Sequence, residues 1–296
     1  MIIDHESQIT DSVLAKLAAT PDPRLRTLLS SLVRHVHAFV RDVRPTEEEY
    51  DLALRFIAGL GKYTDSERNE AVICADILGV STLACMLANP MGASQTDPAL
   101  LGPFWRKDAP RCRAGESIAR SNTPGAAVFV TGRVLDVDGR CVPGAMIDIW
   151  QASPIGLYEN QDAEQVDFNL RGMFEADGEG RYAFRTVKPA GYPVPTDGPV
   201  GDLLRASGRH PYRPAHIHFM VTHPGYRTLI TQVFADDDSH LDDDVTFSVI
   251  RSLVGHFERH EGGSPPAADV TGPWYTLTYD LTLLPGEMRV PVPPIP

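Results

Sequence analysis

His216-Ile217-His218 opens a strand-like run that continues through Phe219-Met220-Val221. Side chains two apart on a strand share a face, so both imidazoles can reach one metal ion. A pair of half-buried histidines is an ordinary strand feature, however, and two imidazoles accept zinc or copper as readily as iron. Upstream, Tyr158 in Gly156-Leu157-Tyr158 and Tyr192 in Ala190-Gly191-Tyr192-Pro193 stand in loop-like sequence beside glycine. A free phenol titrates at about pH 10, so tyrosine ligates only a cation able to displace its proton. A hard trivalent ion can do so. Two phenolates and a hydroxide would neutralise Fe(III), and two neutral imidazoles would complete five positions. The alternative is that these tyrosines are turn or core aromatics, as expected of Tyr182 and Tyr275.

Two kinds of element would have to position such residues. The first hundred residues read as helical. Asp22 suits an N-cap and Pro23 the first helical position. Leu25, Leu28, Leu29, Leu32, Val36, Phe39 and Val40 then form an i, i+3, i+4 stripe. Thr46-Glu47-Glu48-Glu49 resembles a capping box, and its helix should stop near Gly61. A third helix is expected from Thr64 or Asp65, carrying Val72, Ile73, Ile77, Leu78, Leu83 and Met86. Its apolar residues spread wider than one stripe, which predicts burial on more than one side. After Pro103 short alternating runs take over, at 128–130, 146–150, 182–184, 217–221 and 274–279. Asp138-Gly139, Asp177-Gly178 and Pro224-Gly225 punctuate them, as in a β-sandwich or barrel. The proline-rich tail, 291–296, reads as extended chain.

The 296 residues carry 27 basic and 39 acidic side chains, a net charge of −12, which disfavours nucleic acid and anionic membrane surfaces as partners. No apolar stretch reaches the roughly 18 residues of a membrane span, and the N-terminus lacks a signal-peptide core. Cys74, Cys85, Cys112 and Cys141 form no CxxC pair, so reduced, mostly buried thiols in a cytoplasmic protein are expected.

Several segments together resemble the intradiol ring-cleavage dioxygenases. They are 101–106 (LGPFWR), 147–152 (IDIWQA), Gly156-Leu157-Tyr158 and 213–219 (RPAHIHF), in an order that sets the tyrosines 34 positions apart and Tyr192 and His216 24 positions apart. The resemblance extends over nearly the whole chain. It implies an α+β protein: an N-terminal helical dimerisation domain (1–100), then a catalytic antiparallel β-sandwich (101–296). It further implies one Fe(III) per subunit, with Tyr158 and His216 as equatorial ligands and Tyr192 and His218 as axial ones. The diol substrate would lose one proton to bound hydroxide and the other to Tyr192 as that ligand departs. The metal would then activate the organic substrate toward O2. Arg213 matches an arginine near the ring carbon that gains negative character, and Gln232 a glutamine beside the metal.

The segment 191–202 resembles the branch that cleaves hydroxyquinol (benzene-1,2,4-triol), giving 3-hydroxy-cis,cis-muconate or maleylacetate. Asp76 matches an aspartate of that branch, where a carboxylate can accept a hydrogen bond from the third hydroxyl. Val245 matches a position where catechol enzymes often carry a larger aromatic. Ile73, Leu101, Gly102, Pro103, Phe104, Val194 and Pro195 are the remaining expected pocket wall. Catechol or chlorocatechol is the alternative substrate. Protocatechuate fits less well, because that branch normally lacks the helical part and uses two different chains. The resemblance also implies a homodimer formed through the helical domain, often with a lipid at the interface. Two other classes stay open: a non-catalytic β-sandwich binding module, and a zinc or copper hydrolase built on the HxH pair.

Overall fold

A computed structural model describes residues 2–65, 68–89, 94–120 and 122–294. The chain divides into two compact units, Met1–Ala58 and Gly59–Pro296. The first holds helices α1 (Gln8–Leu17) and α2 (Pro23–Val43) and most of α3 (Glu47–Lys62). Asp22 caps α2 by accepting from the Arg24 and Leu25 amides at 2.7 and 3.0 Å. At α3 the capping box is reciprocal: Thr46 Oγ1 accepts from Glu49 N at 3.2 Å, and Glu49 Oε2 accepts from Thr46 N at 2.8 Å. The apolar stripe of α2 lies on one helical face but stays exposed, with Leu28 50%, Leu32 58% and Phe39 62% accessible. Helix α1 carries Ile9, Val13 and Leu17 at i, i+4 spacing, but its Ser7 N-cap makes no side-chain hydrogen bond.

In the second unit the expected third helix is two. Asn69, not Thr64 or Asp65, is the N-cap of α4 (Glu70–Ile77), accepting from Val72 N at 3.1 Å. Gly79 then turns left-handed (φ +69°), and α5 (Val80–Ala88) leaves with a bend of 78°. The wide apolar distribution means burial for α4, which buries Ile73, Cys74 and Ile77 together with Glu70 and Asp76. It does not for α5, whose Leu83 and Leu87 are exposed.

Two five-stranded sheets follow. In the first, β1 (Ala127–Asp136) pairs antiparallel with β4 (Arg181–Val187) and parallel with both β11 (Trp274–Thr278) and β12 (Leu281–Leu283). Strand β10 (Glu258–His260) extends it beyond β11. The second has the order β3 (Arg171–Glu175), β2 (Met146–Trp150), β7 (His216–Thr222), β8 (Leu229–Ala235), β9 (Val254–Gly255). The α+β architecture is as expected, but the sheets are mixed: β1–β11, β1–β12 and β8–β9 are parallel. A short ribbon pairs β5 (Tyr192–Pro193) with β6 (Tyr212–Arg213), and α6 (Pro199–Ala206) lies between them in sequence.

One face of each sheet fills a common core. Val128, Val130, Phe184 and Leu277 come from the first sheet; Ile147, Ile149, Ile217, Phe219, Val221 and Val233 come from the second. Each such side chain, fully buried, contributes about 1.5–3 kcal/mol. Strict alternation along β7 therefore turns His216, His218 and Met220 to the opposite face. Among the described residues no single helix is long and apolar enough to cross a membrane. All four cysteines are free; only Cys74 is buried, whereas Cys141 is exposed, so the expected general burial of thiols does not hold.

Candidate metal centre

The outer face of the second sheet carries a row across three strands. Trp150 on β2 pairs with His218 on β7, which pairs with Gln232 on β8. Trp150 stacks on the His218 imidazole at 4.6 Å and 12°. This face is not solvated, since all of His216–Val221 is buried. Phe104, Trp105, Trp150, Tyr158, Tyr192 and Met220 form a second cluster over it, with Leu101 packed against them. Trp105 is held there by donating Nε1–H to the buried Asp148 at 2.9 Å. Gly102 (φ +74°) passes close to the ligand face: a Cβ there would lie 3.3 Å from His218 Cε1.

The two tyrosines arrive on separate loops. Tyr158 caps a 3-10 turn, Glu159–Gln161, its amide donating to Gln161 Oε1 at 3.1 Å. Tyr192 lies in β5 directly opposite Arg213. The loops meet because Gly156 has no side chain; a Cβ there would sit 2.9 Å from Tyr192 Cβ. The outcome is four converging donor groups. Tyr158 Oη and Tyr192 Oη are 3.3 Å apart, and the Nε2 atoms of His216 and His218 are 3.0 Å apart. Ring contacts close the circle, with Tyr192 against His216 at 5.6 Å and Tyr158 against His218 at 6.5 Å.

Electrostatics suit this donor set to a hard cation. Burial, reinforced by Arg213, holds the His216 pKa well below the usual histidine range. Burial and the neighbouring His216 do the same for His218. Both rings are therefore neutral at pH 7, the form that binds metals. His216 Nδ1–H donates to the Pro214 carbonyl at 2.7 Å, which leaves Nε2 as the lone-pair atom facing its partner. Burial and the adjacent Tyr192 push the Tyr158 phenol well above its ordinary value, so only a strongly polarising cation would ionise it. Two neutral nitrogens and two phenols, one of them strongly resistant to ionisation, fit Fe(III) better than zinc.

Arg213 is buried behind the histidines. It donates from Nη1 to His216 Nε2 (3.2 Å), and from Nη2 to Gln232 Oε1 (2.8 Å) and Ser248 Oγ (2.6 Å). Its Nε–H faces Asp244 Oδ1 at 3.3 Å. Burial opposes the guanidinium charge, but the Asp244 carboxylate beside it keeps the arginine pKa raised. Asp244 in turn accepts from Thr246 Oγ1 and from the amide and hydroxyl of Ser248. Gln232 is buried rather than facing solvent, and donates Nε2–H to the Leu100 carbonyl at 2.7 Å.

Of the expected pocket residues, Phe104, Leu101 and Gly102 touch or closely approach the aromatic cluster, and Pro103 is half-buried between them. Asp76 is buried, 6% exposed, within range of the charges of Arg213 and Asp244. Burial, opposed by a Ser81 hydrogen bond, pushes its carboxyl up to about 6. Val245 is buried and tied to α4 through Arg209, which donates to the carbonyls of Ile77 (2.6 Å) and Val245 (2.9 Å). Ile73, Val194 and Pro195 join the others only through their elements: Glu70 of α4 accepts from Val200 N at the start of α6. Sequence reasoning missed Asp244 with Ser248, and the buried pair Arg171–Glu159 (2.7 Å), in which Arg171 also donates to the Phe104 carbonyl. Glu159 adjoins Tyr158, and Asp244 adjoins Val245, but nothing in an isolated carboxylate announces a buried partner.

Residues 22–96 match the family described as "Catechol dioxygenase N terminus", and residues 100–285 the family described as "Dioxygenase". Hydroxyquinol 1,2-dioxygenase of Rhizobium sp. (strain MTP-10005) is 44% identical, over 86% of this chain and 87% of the relative. 6-Chlorohydroxyquinol 1,2-dioxygenase of Cupriavidus pinatubonensis is 40% identical, over 95% of this chain and 98% of the relative. The crystal structure of hydroxyquinol 1,2-dioxygenase from Pseudomonas putida DLL-E4 superposes with a TM-score of 0.87 at 38% identity, covering 95% of this chain and 99% of that one. With both halves matched and relatives of this similarity spanning nearly the full length, the chain belongs to the intradiol ring-cleavage dioxygenase family.

Proposed function

We propose that this enzyme opens hydroxyquinol between its adjacent hydroxylated carbons with O2, giving 3-hydroxy-cis,cis-muconate or its tautomer maleylacetate. One Fe(III) per subunit would be held by Tyr158, Tyr192, His216 and His218. The observation that carries the substrate assignment is the buried carboxylate of Asp76, in charge contact with Arg213. A diol alone gives such a group nothing to accept from, whereas the third hydroxyl of the triol does. Bound iron would supply the Lewis acidity that makes the ring's dianion reactive toward O2. The chain's own residues do the rest. Tyr192 Oη accepts a substrate proton, and Arg213, fixed by Asp244, Gln232 and Ser248, offers a preorganised cation to developing negative charge. Phe104 and Leu101, from the aromatic cluster, and the buried Val245 would line an apolar slot for a flat ring.

The reading includes a functional division into a helical dimerisation domain, 1–100, and a catalytic domain, 101–296, in the cytoplasm. The two family matches meet near that boundary, although by compactness the chain divides earlier, after Ala58. A homodimer through the helical domain is supported by the exposed apolar stripe of α2, which a partner and an interface lipid would cover. The assignment is tested by O2-uptake kinetics on hydroxyquinol and catechol. A higher kcat/KM for hydroxyquinol is expected, and a preference for catechol overturns it.

A further inference from the structure

The end of α6 delivers one arginine to the gap between α4 and the loop 244–248. The helix closes in a Schellman motif: Gly208 (φ +67°) donates its N–H to the Arg205 carbonyl at 3.1 Å, and Arg209 its N–H to the Leu204 carbonyl at 2.9 Å. That motif fixes the backbone from which the half-buried Arg209 side chain leaves. Its guanidinium is shared between carbonyls of two different elements, Nη1 donating to Ile77 O at 2.6 Å and Nη2 to Val245 O at 2.9 Å. Ile77 is the last residue of α4, so its carbonyl is one that the helix itself leaves unbonded, at the negative end of the helix dipole. The same guanidinium lies 4.9 Å from the centroid of the Phe247 ring. Phe247 in turn lies over Gly79, where a Cβ would be 3.5 Å from its Cδ2.

This clasp joins the two residues expected to meet the substrate's third hydroxyl. Ile77 follows Asp76 directly, and the other carbonyl belongs to Val245 itself. The loop is stiff within itself, because the Asp244 carboxylate accepts from Thr246 and Ser248, and Phe247 N–H donates to the Asp244 carbonyl at 2.9 Å. A stiff loop moves as one body, so the bonds that cross from it to the helices set its distance from them. Thr82 Oγ1 donates to the Thr246 carbonyl at 2.9 Å, but Thr82 is on α5, beyond the turn at Gly79. Arg209 reaches α4, the helix that carries Asp76. A planar guanidinium holds two carbonyls at a fixed separation, which the point-like ammonium of lysine does less well.

We propose that Arg209 is a positioning residue for substrate specificity, setting the gap between Asp76 and Val245 that receives the third hydroxyl of the triol. The role rests on the reading of Asp76 as the acceptor of that hydroxyl. Arg213 keeps its own bonds to Asp244, Gln232 and Ser248, so the ring-opening chemistry common to diol and triol does not depend on the clasp.

The test is O2-uptake kinetics on hydroxyquinol and catechol with the full-length, iron-loaded parent, Arg209→Ala, Arg209→Lys, Asp76→Ala, and Arg209→Ala combined with Asp76→Ala. In Arg209→Ala the hydroxyquinol-to-catechol ratio of kcat/KM should fall about tenfold, mainly through KM for hydroxyquinol. Catechol turnover and the visible absorption of the resting enzyme should be retained. Arg209→Lys, which keeps the charge but loses the fork, should fall between parent and Arg209→Ala, and it carries the test if the alanine variant does not fold. With Asp76 already replaced, Arg209→Ala should lower the ratio no further. An unchanged ratio in the Arg209 variants while Asp76→Ala lowers it, equal losses on both substrates, or additive losses in the combined variant would each overturn the role of Arg209 alone. An unchanged ratio in Asp76→Ala would overturn the reading of Asp76, and this role with it.

Discussion

Asp76 sets specificity against stability, and both sides can be sized. Its carboxyl titrates at about 6 in the folded chain because it is buried, against about 3.9 when unfolded. Between those values the folded state holds a proton that the unfolded state has lost. Unfolding free energy therefore falls as pH rises from about 4 to 6, and stays lowered above. Roughly two units at 1.36 kcal/mol each give a cost of about 3 kcal/mol at pH 7.5. Asp76→Asn removes the charge at nearly constant shape, so it should be more stable than the parent at pH 7.5, with the difference vanishing near pH 4. Asp76→Ala removes the acceptor. A hydrogen bond to a charged group contributes about 1.5–3 kcal/mol, so kcat/KM for hydroxyquinol should fall about 10–150-fold while that for catechol changes little. Urea denaturation at pH 4, 5.5 and 7.5 reads the first effect, and O2-uptake kinetics with both substrates the second. An unchanged substrate ratio in Asp76→Ala would remove this residue from specificity. Lower stability of Asp76→Asn at pH 7.5 would refute the burial argument.

Two further substitutions probe the groups behind the site. Asp244→Asn leaves the buried Arg213 without its counter-charge; kcat should drop far more than KM changes, and stability should fall by about 3–5 kcal/mol in urea denaturation. Arg171→Met leaves the buried Glu159 with Arg106 (2.8 Å) as its remaining charged partner and takes the donor from the Phe104 carbonyl; it should destabilise by about 1–3 kcal/mol in urea denaturation, with Glu159→Gln in the same chain restoring part of the loss.

Much of this was legible in the sequence because it depended on local rules. Asp22 and Thr46 cap as their types require, and the i, i+2 histidines share a face because β7 alternates. The shared segments then tied Tyr158 and Tyr192 to that pair, which spacing alone could not do. What escaped depended on three-dimensional neighbours. Gly79 inside an apolar run ends one helix and starts another, a choice that hinges on where α4 and α5 pack. The α2 stripe was plain in the sequence, but that it stays exposed within the chain was not. Sheet direction at β1–β11 is likewise set by the path of the chain, not by strand composition. Asp244 and Arg171 look like surface charges in one dimension and become buried ion pairs in three.

Metal analysis combined with visible absorption decides whether Tyr158 and Tyr192 hold a ferric ion as phenolates. Purified protein should contain one iron per chain and show tyrosinate-to-Fe(III) charge-transfer colour, and Tyr158→Phe should abolish that colour. Active but colourless protein carrying stoichiometric zinc and no iron would rule out the ferric centre.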